Sequence, residues 1–213
     1  MSESKCPDEN SKRAWFESVT AILMAVASLS TAWCSYQSSR WSGQSSGFAT
    51  AADKFEKEAA ELRLAGQQIE SVQMSAVMEV IDAKLEGDEK RAAFYTDRFS
   101  AELKPAYEKW MAYKPFENPQ APPHPFVPSL YTPRFHETVN QLRTQAAQAE
   151  AQSNTNGHTA DTYLTNTVIL ATVLFFAGTV GKFTQRHVRW SSLTFAFVLF
   201  GYVVVRMLLL PVA

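Results

Sequence analysis

The stretch SVTAILMAVASLSTAWCSYQSS, residues 18 to 39, contains no charged residue. A helix rises about 1.5 Å per residue, so this run can cross a hydrocarbon layer of roughly 30 Å. Two further stretches read the same way: TYLTNTVILATVLFFAGTVG, residues 162 to 181, and WSSLTFAFVLFGYVVV, residues 190 to 205, which continues past Arg206 to Ala213. The spacing predicts an all-α integral membrane protein with transmembrane helices at 15–36, 162–181 and 190–210. The hydrophilic section between them, 37–161, is expected to form an extramembrane antiparallel helical stalk or bundle.

The bulk composition conceals this division. The 213 residues are 19% charged with net charge −1, and the mean hydropathy of −0.17 is that of a soluble protein. The polar middle dilutes three apolar segments. Basic residues form no stripe, which argues against a nucleic-acid partner. Cys6 in the polar tail and Cys34 in the first apolar run give the middle region no disulfide framework. No N-x-S/T sequon with a permitted middle residue occurs, as is compatible with a bacterial source.

Charge asymmetry sets the expected orientation. Lys5, Lys12, Arg13, Lys182, Arg186 and Arg189 flank one side of the spans, against chiefly Arg40 and Lys54 on the other. Positive residues stay inside. The bacterial inner membrane then holds a multi-pass chain with tail 1–14 in the cytoplasm, 37–161 in the periplasm, a cytoplasmic turn at 182–189 and 211–213 outside. Trp33, Tyr36, Trp41 and Tyr163 fit an interfacial aromatic belt. The competing reading of the first run is a cleaved signal peptide, with Lys12-Arg13 before the apolar run and Ser30-Thr31-Ala32 as a small-x-small site. Against cleavage, no proline interrupts residues 36–85, so one helix can continue out of the bilayer.

From Phe48 a heptad repeat appears. Phe48, Phe55, Leu62, Ile69, Ala76 and Ala83 share one position, with Ala52, Ala59, Gly66, Gln73 and Val80 four residues later. This is the pattern of a coiled-coil seam with one row of large and one of small residues. Gly87-Asp88 ends that helix, and Glu89 to Lys114 reads as a second, bent or restarted by Pro105. Seven prolines between 115 and 133 predict an extended polyproline strap anchored by Phe116, Phe126, Leu130 and Tyr131. A third helix begins near Phe135 and keeps heptad spacing through Val139, Leu142, Ala146, Ala149, Ser153, Asn156, Ala160, Tyr163, Thr167, Leu170 and Leu174. Residues 37–86 as one helix would rise about 75 Å. Gly66 and Gly157 are the expected bends if the helices instead break into a squatter bundle.

Small residues recur every four positions at Ala27, Thr31, Ser35, Ser39, Gly43, Gly47 and Ala51, and Ala177 and Gly181 give a shorter version. Such tracks let helices pack backbone to backbone. Because a four-residue step drifts by about 40° on a helix of 3.6 residues per turn, one track is expected to serve two contacts, one within the protomer and one between protomers. Arg206 is the one charge in the third run, a pore or partner candidate or an interfacial anchor that snorkels. No reaction signature is present. His136-Glu137 is not followed by a second histidine at zinc-protease spacing, no glycine-rich phosphate loop follows a strand, and the serines of residues 42–47 sit in helical periodicity. The expectations are therefore no catalytic residues, no metal, no cofactor and no enzyme activity. The lipid bilayer, further copies of the chain and a periplasmic or membrane protein are the expected partners.

Ala32-Trp33, Tyr36-Gln37, Trp41-Ser42-Gly43-Gln44, Leu103-Lys104-Pro105-Ala106, Asn118-Pro119-Gln120-Ala121-Pro122, Pro125-Phe126 and the stretch VLFFAG at 173–178 together resemble a group of uncharacterised bacterial inner-membrane proteins with one N-terminal and two C-terminal spans. The resemblance covers nearly the whole chain. It implies the same topology and brings no activity. Two functions from different classes fit: a non-enzymatic oligomer whose periplasmic stalk binds itself or a partner, and a subunit of an oligomeric channel or transporter.

Overall fold

A computed structural model describes residues 7–182 and 185–213, except the side chains at 7–13 and 186. Lys5 and Cys6 lie outside the described residues, as do the side chains of Lys12, Arg13 and Arg186. The described chain is helical throughout its regular structure, with α1 Pro7–Glu86, α2 Glu89–Thr96, α3 Leu103–Ala112, α4 His136–Thr179 and α5 Arg186–Leu209, and a 3₁₀ turn Val180–Lys182 after α4. Three helices are long and apolar enough to cross a membrane: Ala14–Glu86, His136–Lys182 and His187–Leu209. The chain divides into two compact units, Met1–Thr50 with Ala149–Ala213, and Ala51–Gln148.

In the first unit the apolar parts of α1, α4 and α5 share one interior. Leu23, Ala27 and Cys34 of α1 pack with Tyr163, Leu170, Val173 and Ala177 of α4 and with Leu193, Ala196 and Val203 of α5. Phe16 meets Trp190 edge-on at 4.7 Å and carries the Arg189 guanidinium 5.4 Å above its ring, so α1 and α5 meet near the start of α5. Most other large apolar side chains here face outward, including Leu29, Val168, Phe175, Val198 and Leu208. In water that arrangement would be costly, at roughly 25 cal/mol for each Å² of apolar surface left wet. A lipid surrounding would remove the cost.

In the second unit an aromatic core joins α1, α2 and α3. Val77, Val80 and Ala83 meet Ala92, Phe99, Leu103, Tyr107 and Trp110, and Phe126 and Tyr131 close the cluster. Phe99 stands edge-on to Tyr107 at 5.1 Å, and Phe126 edge-on to Tyr131 at 5.1 Å. A smaller cluster joins Ala59 of α1 to Val139 and Leu142 of α4, with Phe55, Leu62 and Phe135 beside it.

Several expectations require correction. Residues 89–114 form two helices, not one, and the break lies before Pro105. Ser100 Oγ accepts from Leu103 N at 3.1 Å, and Pro105 falls in the first turn of α3, where its missing N–H leaves no helical bond unmade. The proline segment is a chain of local turns, not an extended strap. Lys114 turns at φ 51, its carbonyl accepts from Glu117 N and Asn118 N, Asn118 Oδ1 accepts from Gln120 N, and Val127 O accepts from Leu130 N and Tyr131 N. Lys114, just before the first proline of the segment, and Asn118 between the prolines supply the reversals that polyproline geometry would exclude.

Helix ends also differ from span ends. α1 starts at Pro7, inside the expected tail, and α5 starts at Arg186, inside the expected turn of 182–189. Loss of charge marks where hydrocarbon begins, whereas a helix can extend beyond it through residues of ordinary propensity. Neither Gly66 nor Gly157 breaks its helix, since α1 and α4 run through them. Within the heptads, the buried positions move to Val77, Asn166 and Val173 in place of Ala76, Thr167 and Leu174. A straight helix of 3.6 residues per turn lags a strict heptad by about 20° per repeat, which carries the seam forward to Val77 on α1, whereas the backward step to Asn166 and Val173 on α4 runs against that drift.

Candidate functional site

The polar chemistry of the first unit lies where α1 and α4 leave their apolar stretches. Ser45 Oγ donates to Ser153 O and Ser153 Oγ donates to Ser45 O, each at 2.9 Å, a reciprocal hydroxyl-to-carbonyl pair between two helices. Such close backbone approach needs small residues, and Gly157 supplies the next: a Cβ there would stand 3.2 Å from Ser45 Oγ. Further along, Ser38 Oγ donates to Ala160 O at 3.0 Å.

The segment after α5 is held against both helices. Pro211 O accepts from Tyr163 OH at 3.1 Å and from Trp41 Nε1 at 3.3 Å, while Gln37 Oε1, on a side chain 1% exposed, accepts from Ala213 N at 2.9 Å. These contacts form a clasp. Trp41 and Tyr163, expected as members of an aromatic belt, spend their polar tips on one carbonyl, leaving their rings for packing.

One turn along α4 from Tyr163 lies Asn166, fully buried, with neither Oδ1 nor Nδ2 hydrogen-bonded. A buried amide without a partner costs of order 1–3 kcal/mol in proteins. The sequence carried a signal for it, a single asparagine in a stretch otherwise apolar or hydroxylated.

The small-residue track divides. Ala27 is buried and Thr31 is part-buried, its Oγ1 donating back to Ala27 O at 2.8 Å, whereas Ser35, Ser39, Gly43 and Gly47 all face outward. A Cβ built on Gly43 or Gly47 meets nothing within 4 Å. In the second track Ala177 is buried and Gly181 is open. Arg206 lies in the last turn of α5, part-buried, with its guanidinium 5.7 Å from the Tyr202 ring centre. Tyr202 is itself exposed, so Arg206 does not enter the helix interior.

The second unit carries open surface grooves. One of 510 Å³ is lined by Glu56, Arg63, Gln67 and Arg143 among others; another of 430 Å³ runs between α2 and α3 past Lys84, Lys104, Tyr107 and Met111. Tyr107 OH is buried without a hydrogen-bond partner, and its burial, with Glu89 nearby, pushes the phenol pKa up. Arg91 bridges Glu79 and Glu86 at 2.9 Å each across the α1–α2 corner. Among the described residues no group of three or more His, Cys, Asp or Glu converges. His136 bonds Asn140 at 3.0 Å on an exposed surface, and His124 lies beside Phe126.

No family model, curated protein or solved structure matches this chain.

Proposed function

We propose that this chain is a non-enzymatic, self-associating protein of a bacterial inner membrane whose exported helical domain binds further copies or a periplasmic or membrane partner. The chain then belongs with the three-span proteins that its sequence resembles. The observation that carries the reading is the outward face of α1, where Ser35 and Ser39 are exposed and a Cβ on Gly43 or Gly47 would meet nothing within 4 Å. Small residues facing lipid gain little there, and the same residues against a second helix permit close packing. Two contact series favour an antiparallel α1–α4 arrangement, Ser38 with Ala160 and then Ser45 with Ser153 in the first unit. The heptad seams favour coiled-coil packing in the second unit, where Ala59 meets Val139 and Leu142.

The orientation rests on charge. Lys182 and Arg189 lie at the end where Phe16 meets Trp190, and Arg40 lies toward the clasp, so the positive-inside rule favours the first end for the cytoplasm. The experiment is subunit counting of the full chain in lipid nanodiscs. More than one copy per particle is expected, and single copies at every protein-to-lipid ratio would contradict the proposal.

A channel or transporter subunit is the second reading, favoured by Arg206, a charge in the last turn of α5 beside the exposed Tyr202. Leu170, Val173 and Val203 fill the three-helix interior, so a pathway would have to run between copies. Ion flux above that of empty vesicles, altered in Arg206→Ala, supports this reading; flux equal to empty vesicles removes it.

A further inference from the structure

Two opposite charges of the first unit stand at one level and face apart. The bond from Ser38 Oγ to Ala160 O sets that level. Arg40 is two residues from Ser38 and Asp161 one residue from Ala160, so they sit about 3 and 1.5 Å along their helices from the contact and about 200° and 100° around them. They cannot meet in one copy. Both are exposed, and among the described residues neither makes an ion pair or a side-chain hydrogen bond. The level difference, at most about 4.5 Å, lies within reach of the long arginine stem.

Copies in one bilayer are related by rotation about its normal, which preserves level. An Arg40 therefore meets a neighbour's Asp161 at matching height without tilt or displacement. Resting on the self-association reading, we propose that the outward face of α1 in one copy docks against the outward face of α4 in a second copy, with Arg40 pairing with the neighbour's Asp161 at the edge.

The facing surfaces suit one another. α1 offers Ala25, Ala32, Ser39 and Gly43, all exposed. α4 offers Thr165 and Val168 beyond Asp161, and the Thr165 hydroxyl already donates to Asp161 O at 2.8 Å, so its face presents methyl groups to the neighbour. Different faces meet, so the contact is heterologous and closes into a ring if the rotation permits. At the interface of water and hydrocarbon the pair is more weakly screened than on a fully wet surface.

The test uses the full chain in nanodiscs, with association read by energy transfer between separately labelled copies. Arg40→Asp and Asp161→Arg each weaken association about tenfold or more, and the two together restore it. Helicity and thermal unfolding check that each variant folds. As an independent measure, Ala32→Cys chains mixed with Thr165→Cys chains, whose levels differ by about 1.5 Å, both with Cys6→Ser and Cys34→Ala, form a mixed disulfide on mild oxidation. Wild-type protein that is monomeric overturns the self-association reading and this interface with it. Wild-type oligomers indifferent to both reversals and without the cross-link overturn this interface alone. So does sensitivity to Arg40→Asp without rescue by Asp161→Arg, the behaviour of an arginine held by a lipid phosphate.

Discussion

Two glycines of the same helix make opposite demands. At Gly66 a Cβ would stand 3.0 Å from Arg134 O, a backbone atom that cannot swing aside, while at Gly43 it would meet nothing. Alanine in a helix interior is favoured over glycine by about 1 kcal/mol. Gly43→Ala is therefore predicted to raise the thermal midpoint of the detergent-solubilised monomer, and Gly66→Ala to lower it, because displacing the Arg134 backbone outweighs the propensity gain. Equal stabilisation by both would show that the Arg134 carbonyl does not press on α1. Sequence reading singled out Gly66 as a possible bend but not as a seat for another segment's carbonyl, since nothing local to residue 66 encodes where residue 134 goes. Asn166 is similar: its type was visible, its burial was not. Asn166→Leu is predicted to stabilise the three-helix interior by about 1–3 kcal/mol by removing two unmet polar atoms. A fall in the unfolding midpoint would mean that the amide has a partner, such as an ordered water.

The corner between α1 and α2 was legible because its chemistry is local. Gly87 adopts φ 77, Asp88 N bonds Ala83 O and Gly87 N bonds Lys84 O, the paired bonds of a glycine-terminated helix. Asp88 Oδ1 then accepts from Arg91 N at 3.0 Å and caps α2. Asp88→Ala is predicted to cost about 1 kcal/mol, and Gly87→Ala about 1–2 kcal/mol for a left-handed residue bearing a Cβ, both read by chemical unfolding. The clasp beyond α5 was illegible because its partners lie far apart in sequence, Gln37 and Trp41 on α1 and Tyr163 on α4. Tyr163→Phe and Trp41→Phe each remove one donor to Pro211 O. Loosening of residues 210–213, seen as faster amide exchange at Ala213, is predicted for each; unchanged exchange would mean that the segment is held by packing alone.

At the scale of the molecule, the three apolar helices and the polar middle section were readable from charge and length, and the interior of each unit was not. The second unit also has a working pH window. Burial, with Glu70 and Glu102 near Tyr131 and Glu89 near Tyr107, raises both phenols above their ordinary value. The folded state then keeps protons that the unfolded chain releases near pH 10. The stability from these groups is complete below about pH 10 and is lost as pH rises through the folded values. Glu102 acts at the other limit. The Ser100 hydroxyl first, then its own backbone N–H and Arg134, lower its pKa, so its contribution is present above the unfolded value and lost as pH falls through the folded one. Circular dichroism of the full chain against pH, with tyrosinate absorbance alongside, is predicted to show helix loss coinciding with the late ionisation of Tyr107 and Tyr131, each absent from the absorbance change in Tyr107→Phe and Tyr131→Phe respectively. Ionisation of every tyrosine with helicity intact would contradict it.

The central claim is that lipid surrounds the helices of the first unit while the second unit is exported into water. Single cysteines at Lys90 and at Lys182, in the Cys6→Ser and Cys34→Ala background, test it most directly with a membrane-impermeant maleimide on intact spheroplasts. Labelling of the Lys90 position from outside, and of the Lys182 position after permeabilisation alone, is the predicted result. Labelling of Lys182 from outside with Lys90 protected until lysis would contradict the account.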